Sequence, residues 1–417
     1  MYDVIIVGAR CSGAATALCL ASRGLRVLAI DRARFPSDAI GGHCIWPRGL
    51  RKLQKWGILP QLQNSALPKI TTCRMNFSGG VQLSACFPAD APVPFAMGPR
   101  RFTLDHLLVQ AARRAGAEIR EQCPMVGLLW RGDVVVGVHG QTRSGAVWRE
   151  RASVVVGADG IHSRVARLVN AARYRTIPGM TCNFYTYWAD VALPDLEMTV
   201  RPDLVVTSFP TNDGKVAISC IRPADAFHEF RGNIEQHYLH CLHRLPHLWQ
   251  HLRSGRRMER FRGVGPAASY FRRSFGPGWA LVGDAGYYKD PVTGSGISDA
   301  FRDAEDLADS IADGLCSSRP LNSYLAAYER RRSRHSLAHY WLTYLASTMD
   351  ARELELLVRS AFHKNSRDEN DLLLRIFTGE TPLYRYILNL RLPRLLGLRG
   401  SMLFIKETYQ SIKCLRT

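Results

Sequence analysis

The stretch VIIVGARCSG, from Val4 to Gly13, decides the fold of this 417-residue chain. Its first four residues are a β-branched run, which is typical of a strand buried on both faces, and Gly8 ends that strand with a tight turn. A helix of small and aliphatic residues is predicted from Ala14 to Ser22, and a second apolar run then ends in Asp31. This strand–turn–helix–strand unit of about 30 residues, with an acid about 20 residues on, is the pattern of a dinucleotide-binding fold.

The residues of this first turn indicate how a diphosphate would be held. Its glycines let the backbone approach the phosphates, and the start of the helix offers free N–H groups and a positive dipole end. Asp31 can accept hydrogen bonds from the adenosine ribose hydroxyls, although an ordinary α/β turn with Asp31 as a strand-end carboxylate is the alternative. Arg10 stands where the usual G-x-G-x-x-G pattern has its middle glycine, which adds a cation and argues against a simple NAD-type site. The residues assigned to this end of the site are Gly8, Arg10, Cys11, Ser12, Gly13, Asp31 and Arg32.

A second glycine-bearing segment, Gly157-Ala158-Asp159-Gly160, follows a buried apolar run. The carboxylate of Asp159 can order backbone and water around a diphosphate. It can also stabilise a local Asx-type turn, which is the commoner role of an Asp before a Gly. Both interpretations of Asp159 stay open, and the segment alone favours the turn.

The third glycine-bearing segment is the most specific, and it points to FAD. Gly283-Asp284 follows a short buried strand and places a carboxylate where it can bind a polyol hydroxyl. After Pro291, the residues Gly294-Ser295-Gly296-Ile297 begin a long helix. Backbone N–H groups at such a helix start stabilise the negative charge that a reduced flavin carries near N1 and the C2 carbonyl. The alternative is a glycine-rich loop that closes the sheet.

Two further motifs join these segments, namely RFTLDHLL from Arg101 and FPTNDG from Phe209. Together, the motifs resemble those of the class A FAD-dependent monooxygenases, the superfamily of p-hydroxybenzoate hydroxylase, which is related to the geranylgeranyl reductases and the FAD-dependent halogenases. The resemblance covers residues 1–330. It implies an FAD contact from the arginine at position 101, a ribityl contact from Asp284, and a strand that touches adenine at Val126. The remaining positions that it assigns to FAD are Asp159, Gly294, Gly296 and Ile297.

The chain departs from the family pattern at two points. The family often continues G-D-A-A-H, whereas Asp284 is followed here by Ala285-Gly286-Tyr287-Tyr288, so Tyr288 or no residue takes the role of the histidine. The halogenase signature G-W-x-W-x-I-P does not occur in the sequence, which argues against halogenation.

The predicted fold class is α/β, with a Rossmann-like FAD-binding domain, an antiparallel-sheet substrate domain and a helical C-terminal region. The aromatic run from Cys182 to Trp188 is predicted to be a strand of the antiparallel sheet, and one of its faces is predicted to line a substrate pocket. The alternative is that both faces belong to the core. The pocket residues are predicted to be Tyr185, Phe209 and Pro210. The predicted domains are 1–72, 99–173 and 264–330 for FAD, 73–98 and 174–263 for the substrate, and 331–417 for the helical region.

The composition predicts an enzyme of the cytoplasm, which is a reducing compartment. No run approaches the 18 apolar residues of a membrane span, and the N-terminus leads directly into a strand, which leaves no room for a signal peptide. The 11 cysteines include no C-x-x-C pair and are interpreted as reduced thiols. His243 and His247 are spaced as helical neighbours but lack the glutamate of a zinc motif, so no metal site is predicted.

The net charge of +19 indicates attraction of anions such as NAD(P)H, and it is compatible with a substrate on an acidic carrier. Nucleic acid is not predicted as a partner, because no nucleic-acid-binding motif is present. The basic segment 381–417 either lies on a membrane surface or packs on the parent domain, and packing is favoured. The oligomeric state is left open.

The resemblance implies an NAD(P)H-using monooxygenase that oxygenates an electron-rich small molecule, preferably aromatic, with O2 through a flavin C4a-hydroperoxide. NADPH or NADH is expected as a transient co-substrate, since no second dinucleotide fingerprint occurs. Pro291 is expected to shape the oxygen pocket, and His43 to act as an acid or base near the flavin. Two alternatives are an FAD-dependent prenyl or alkene reductase of the geranylgeranyl reductase type and a flavin-binding protein without turnover.

Overall fold

The computed structural model describes residues 1–41, 43–80, 82–142, 145–349 and 367–381. These residues form a mixed α/β structure with a parallel sheet and an antiparallel sheet, as the sequence predicts. The strands of the described residues are β1 (Tyr2–Val7), β2 (Val27–Ile30), β3 (Thr72–Asn76), β4 (Gln82–Cys86), β5 (Glu118–Arg120), β6 (Met125–Arg131), β7 (Val134–Gln141), β8 (Val147–Gly157), β9 (Arg173–Ile177), β10 (Thr181–Ala189), β11 (Leu196–Arg201), β12 (Leu204–Pro210), β13 (Val216–Pro223), β14 (Arg256–Arg257), β15 (Arg262–Val264), β16 (Ser269–Arg272), β17 (Phe275–Gly276), β18 (Trp279–Leu281) and β19 (Tyr287–Tyr288). The helices are α1 (Cys11–Ala21), α2 (Pro47–Lys55), α3 (Leu59–Gln63), α4 (Arg101–Arg114), α5 (Arg164–Leu168), α6 (Phe227–Gly232), α7 (Ile234–His243), α8 (Pro246–Leu252), α9 (Gly296–Leu315), α10 (Leu321–Ser347) and α11 (Arg367–Phe377).

The first sheet has the order β17-β18-β8-β1-β2-β5, and its central pairs are parallel. Val7 of β1 pairs with Gly157 of β8, which pairs in turn with Leu281 of β18. Because parallel strands bring their carboxyl ends to the same edge, the three glycine-bearing segments meet there. Helices α1, α4 and α9 cover one face of this sheet, and the β6–β7 hairpin extends beside the other. The Rossmann-like prediction is therefore confirmed.

The second sheet has the order β14-β10-β13-β12-β11-β3-β4 and is antiparallel except for the parallel pair of β11 and β3. Side chains of β10 alternate between two apolar clusters. Tyr185 and Tyr187 lie in one, whereas Phe184 and Trp188 lie in the other, under α7 and α8. All four side chains are buried, so both faces of this strand contribute to the core. The alternation predicted from the sequence is present, and so is the alternative that both faces are packed.

A small third sheet has the order β19-β16-β9, so β16 pairs with β9 on one side and, on the other, with β19, which follows Gly283-Asp284. Helix α10 packs against α9 and runs without interruption across residue 330, where the sequence predicted a boundary. The short helix α11 lies against the edge strand β4, where Asp371 accepts a hydrogen bond of 2.8 Å from the amide of Cys86. Apart from residue 381, the basic segment 381–417 is outside the described residues. Among the described helices, we find none with the length and apolar character needed to cross a bilayer.

Candidate active site

The first turn brings the backbone of β1 and α1 into close contact. Gly8 has a φ of +98°, and a Cβ atom on Gly13 would lie 1.7 Å from the carbonyl oxygen of Gly8. Only glycine fits a turn this tight. Within the described residues, no side chain caps the N-terminus of α1, and its first turn contains no acid. The free N–H groups and the positive end of the helix dipole therefore form a site that suits a diphosphate.

Asp31 lies at the end of β2, directly beside this turn. Its carboxylate accepts hydrogen bonds from the amides of Ala9 at 2.8 Å and Ala33 at 2.7 Å. These bonds hold the loop after β1 next to the loop after β2. The backbone of Cys123 donates to the carbonyl of Asp31, which places the start of β6 at the same edge. Val126 on β6 is 40% exposed, and Arg32 is also exposed, so both side chains are open to a ligand.

Asp105 on α4 is the centre of a charged cluster that the sequence analysis did not assign. Its buried carboxylate accepts from the guanidinium of Arg10 at 2.7 Å, and from Arg101 through Nη2 at 3.0 Å and Nε at 3.1 Å. The thiol of Cys11 also donates to it, at 3.2 Å. Burial raises the pKa of this thiol, so Cys11 serves as a packed hydrogen-bond donor. The cluster fixes two arginines beside the first turn, and a signal for it was present in the Arg101 motif, whose acid is Asp105 itself.

Asp159 follows β8, and its carboxylate is occupied by protein donors. It accepts from the hydroxyl of Ser163 and, at 2.6 Å, from the backbone amide of Arg164 at the start of α5. Ser163 in turn caps the same helix by accepting from the amide of Ala166. These contacts match the local-turn interpretation of Asp159. A cofactor contact from this residue stays a prediction.

The third segment lies directly against the first. A Cβ atom on Gly283 would come within 2.8 Å of the side chain of Ser12. Asp284 is exposed by its accessible surface, yet desolvation by the surrounding protein raises the pKa of its carboxyl to about 6, although the Arg101 guanidinium opposes this shift. No donor among the described residues lies within hydrogen-bond distance of this carboxylate. An acid placed in this way is suited to accept hydrogen bonds from a polyol.

The turn before α9 offers an open surface beside a second uncapped helix start. Gly294 has a φ of +61°, and a Cβ atom on Gly296 would meet no atom within 4 Å. In the described structure, no side chain caps α9, whereas Ile297 is buried behind the turn. The Trp46 indole donates to the carbonyl of Thr293 at 3.0 Å and supports the turn from behind. This arrangement presents N–H groups and a flat, unobstructed surface, which suits a planar ring that carries negative charge.

Two of the three predicted pocket residues share one apolar cluster. Tyr185 and Phe209 belong to the cluster that also contains Val292, whereas Pro210 is buried but is not a member of it. A narrow crevice, too tight to enclose a water molecule, lies beside Pro291. Its polar lining consists of Thr181, Asn183, Tyr288 and Asp290. Sequence reasoning missed that α11 joins this region, since Leu374 is a buried member of the same cluster.

His43 lies in the loop between β2 and α2 and reaches this cluster. Its side chain is 3% exposed, and its Nε2 atom is 2.6 Å from the hydroxyl of Tyr187. Desolvation, reinforced by Arg101, lowers the pKa of His43 to about 3. The lowered pKa favours the neutral imidazole, and an acid or base role for His43 stays a prediction.

The residues of this edge fit FAD. In the described part of the chain, two helix starts without a side-chain cap, an acid beside the first turn, and an Asp284 carboxylate without a hydrogen-bond donor come from segments that meet at one edge of the sheet. These groups suit the diphosphate, the ribose, the ribityl chain and the flavin ring of FAD. The fold and this set of groups define a flavin-dependent oxidoreductase.

Comparisons with known proteins identify the family. The profile described as FAD binding domain matches residues 1–340, and the chain therefore belongs to this family. The chain is 28% identical over 350 residues to the digeranylgeranylglycerophospholipid reductase of Methanocella arvoryzae, a match that covers 78% of this chain and 81% of the relative. It is 32% identical over 171 residues to squalene monooxygenase 1,2 of Brassica napus, which covers 40% of this chain and 33% of the relative.

Among solved structures, the myxobacterial chondrochloren halogenase CndH matches with a TM-score of 0.76. The two proteins are 21% identical, and the match covers 90% of this chain and 96% of the halogenase. At this identity, the similarity shows a shared fold. The resemblance to the flavoprotein superfamily that the sequence predicts is confirmed, as is the assignment to FAD-dependent oxidoreductases.

Proposed function

We propose that the chain is an FAD-dependent reductase of isoprenoid double bonds, of the geranylgeranyl reductase type. The observation that carries this proposal is the similarity to a digeranylgeranylglycerophospholipid reductase over 78% of the chain. The sequence analysis favoured a monooxygenase and kept this reductase as the alternative. The similarity to digeranylgeranylglycerophospholipid reductases supports the reductase better than the monooxygenase.

The chemistry of the predicted substrate side is compatible with a hydrocarbon. The cluster around Tyr185, Phe209 and Val292 is apolar, and the additional buried side chains that build it come from several separate parts of the chain. These side chains include Trp46, Met75, Phe87, Val200 and Leu374. If these side chains separate to admit a prenyl chain, they would bind it through burial of its apolar surface and would exclude water from the flavin edge.

Each part of the cofactor site has a role in this reaction. FAD, when bound, supplies hydride transfer to and from its flavin ring. The N-terminus of α1 and Arg10 would bind and orient the diphosphate, and Asp31 would accept from the ribose. Asp284 would accept from the ribityl hydroxyls, and the N-terminus of α9 would stabilise negative charge on the ring. NADPH or NADH as the source of electrons is part of the proposal.

A monooxygenase is the second candidate function. The observation that favours it is the 32% identity to squalene monooxygenase 1,2 of Brassica napus over 171 residues. Both candidates share the FAD site and an isoprenoid type of substrate. They differ in whether the product gains hydrogen or oxygen, and O2 is a substrate only of the second.

Product analysis under two atmospheres tests the proposal. The purified FAD-loaded protein is incubated with a geranylgeranylated glycerophospholipid in detergent. One arm is anaerobic, with dithionite as reductant, and the other contains NADPH under ¹⁸O2. We expect products heavier by two hydrogens per reduced double bond in the anaerobic arm. Incorporation of ¹⁸O without anaerobic reduction supports the monooxygenase and refutes the reductase.

A control variant separates flavin chemistry from adventitious reduction. Asp284→Ala removes the acid assigned to the ribityl chain and should lower both FAD content and product formation. Equal product from this variant after removal of unbound FAD would show that the proposed site is not responsible. No product from the loaded wild-type protein in either arm would leave neither candidate function supported.

A further inference from the structure

Two cysteines lie against each other on the face of the antiparallel sheet that is opposite the cluster containing Val292. Cys220 on β13 is fully buried, and Cys241 on α7 is 2% exposed. Both belong to the apolar cluster of Phe184, whereas Ile221, the next residue of the strand, belongs to the cluster of the opposite face. Both thiols are free. The pair is therefore separate from the residues assigned to FAD.

The packing of α7 on β13 sets the two thiols side by side. The hydroxyl of Tyr238 on α7 donates to the carbonyl of Ile218 on β13 at 3.1 Å, which fixes the position of the helix along the strand. Cys220 lies two residues after Ile218, on the same face of the strand. Cys241 lies three residues after Tyr238, on the same face of the helix. The thiol of Cys220 donates a hydrogen bond to the sulfur of Cys241, so the two sulfur atoms are neighbours.

The charges around the pair distinguish the two thiols. The hydrogen bond from Cys220 lowers the pKa of Cys241, and the guanidinium groups of Arg222 and Arg244 lower it further, although burial opposes the shift. Burial raises the pKa of Cys220 well above its ordinary value. Since the thiolate is the reactive form of cysteine, Cys241 is the nucleophile of the pair and Cys220 is the thiol that can react after it.

A pocket gives small molecules access to Cys241. Its volume is about 230 Å³, and its lining includes Cys241 together with Arg222 and Arg244. Both arginines donate to the carboxylate of Asp203, at 3.0 Å and 2.8 Å, which holds them at the pocket wall. The space is ample for a molecule little larger than water, such as hydrogen peroxide, and the two guanidinium groups favour negative charge on the sulfur.

We propose that Cys241 is an oxidation site for hydrogen peroxide and that Cys220 is its resolving thiol, so that oxidation joins α7 to β13 through a reversible disulfide. The Cys241 thiolate attacks one oxygen of the peroxide and the O–O bond breaks. The departing hydroxide takes up the proton released by Cys241, which gives a sulfenic acid and water. The sulfur of Cys220 then attacks the sulfenic sulfur, and an S–S bond forms as the S–O bond breaks. The proton of the Cys220 thiol leaves with this hydroxide as a second water.

The reaction thereby oxidises two thiols and reduces one peroxide to two waters. It depends neither on FAD nor on the choice between reduction and oxygenation. Disulfides in reducing compartments are usually transient and redox-sensing, which agrees with a pair that is free in the resting protein.

Peptide mapping of the wild-type protein tests this assignment. The FAD-loaded chain is treated with hydrogen peroxide at pH 7, denatured in iodoacetamide and digested without reductant. We expect a linked pair of peptides that contain Cys220 and Cys241, two hydrogens lighter than their sum and separated again by dithiothreitol. Cys241 should be lost at least about threefold faster than the exposed Cys316, because its thiolate is favoured. Cys44 and Cys73 are the internal control and should stay free, since they share the other cluster and burial raises the pKa of both.

Variants separate the roles of the two thiols. Cys220→Ser should leave a sulfenic acid on Cys241 that dimedone labels, whereas Cys241→Ser should leave Cys220 reduced. Arg244→Gln removes one cation from the pocket and should slow formation of the disulfide about two- to fivefold. The matched control is Arg253→Gln at the exposed end of α8, which should react like the wild type.

Three results would overturn the proposal. The first is oxidation of Cys316 with no link between Cys220 and Cys241. The second is a link that is no more frequent than links between other cysteines, which would indicate unspecific oxidation. The third is dimedone labelling of Cys220 in Cys241→Ser with none of Cys241 in Cys220→Ser. The wild-type map needs no variant, so it decides the question even if a substituted protein does not fold.

Discussion

Substitution of Gly296 by alanine tests whether a flat ring lies against the start of α9. A Cβ atom at this position meets nothing within 4 Å, and the residue begins a 20-residue helix. Without cofactor, alanine should stabilise the protein by up to about 1 kcal/mol, since it loses less backbone entropy than glycine on entering a helix. With cofactor, the added methyl group should occupy space that the ring needs. Overpacking of about 1–3 kcal/mol corresponds to an FAD affinity about 5- to 150-fold weaker.

The assay measures the two effects separately. Chemical denaturation of cofactor-free protein gives the free energy of unfolding, and quenching of flavin fluorescence gives the Kd for FAD. Gly232→Ala is the matched control, because Gly232 ends helix α6 and a Cβ there also meets nothing within 4 Å. This control should leave FAD binding unchanged. An FAD affinity of Gly296→Ala within about twofold of the wild type would refute the placement of the ring, since even the lower bound of overpacking exceeds that change.

Two further substitutions test the charged groups of the site. Asp284→Asn should raise the melting temperature of the cofactor-free protein at pH 7 but not near pH 4. The pKa of Asp284 in the folded protein, about 6, lies above the ordinary value of 3.8, so the folded state binds more protons than the unfolded state between these pH values. The folded state therefore loses stability as the pH rises through this range, and Asn removes that loss. An equal change at both pH values would contradict this reasoning. Asp105→Ala should lower the free energy of unfolding by about 3 kcal/mol in chemical denaturation, because two arginines lose a buried partner. The control is Asp309→Ala, which removes the exposed ion pair with Arg23 and should lower the free energy of unfolding by less than about 1 kcal/mol. A small loss for Asp105→Ala would show that the cluster does not stabilise the fold.

The parallel sheet could be predicted because each of its central strands is marked by a short, continuous stretch of sequence. The β-branched run of β1 ends at a glycine, and the runs that become β8 and β18 end in the same way. Parallel pairing brings such strand ends to one edge, so the meeting of Gly8, Gly157 and Gly283 follows from the pattern. The division of the β10 side chains between two faces could also be predicted, because successive side chains of a strand alternate. Alternation does not say what covers each face, and the burial of both required the structure.

The contacts that organise the site could not be predicted in the same way. Asp105 binds Arg10 across 95 positions of sequence, and Tyr187 contacts His43 across 144. No periodicity relates residues at such separations. The acid of the Arg101 motif was visible in the sequence, but a carboxylate four residues after an arginine is most simply interpreted as a helical ion pair. Its contact with Arg10 depends on how α1 and α4 pack.

The order of strands in the parallel sheet has a consequence for synthesis of the protein. The cofactor site begins at the end of β1 and is completed only by β18 and the start of α9. The nascent chain therefore cannot enclose a cofactor until residue 296 has left the ribosome. Until then, the first turn exists without its counterpart. A cofactor that binds only the completed edge stabilises the finished molecule and none of its shorter precursors. Riboflavin supply during translation should therefore influence the yield of mature protein more strongly than the rate at which the first domain begins to fold.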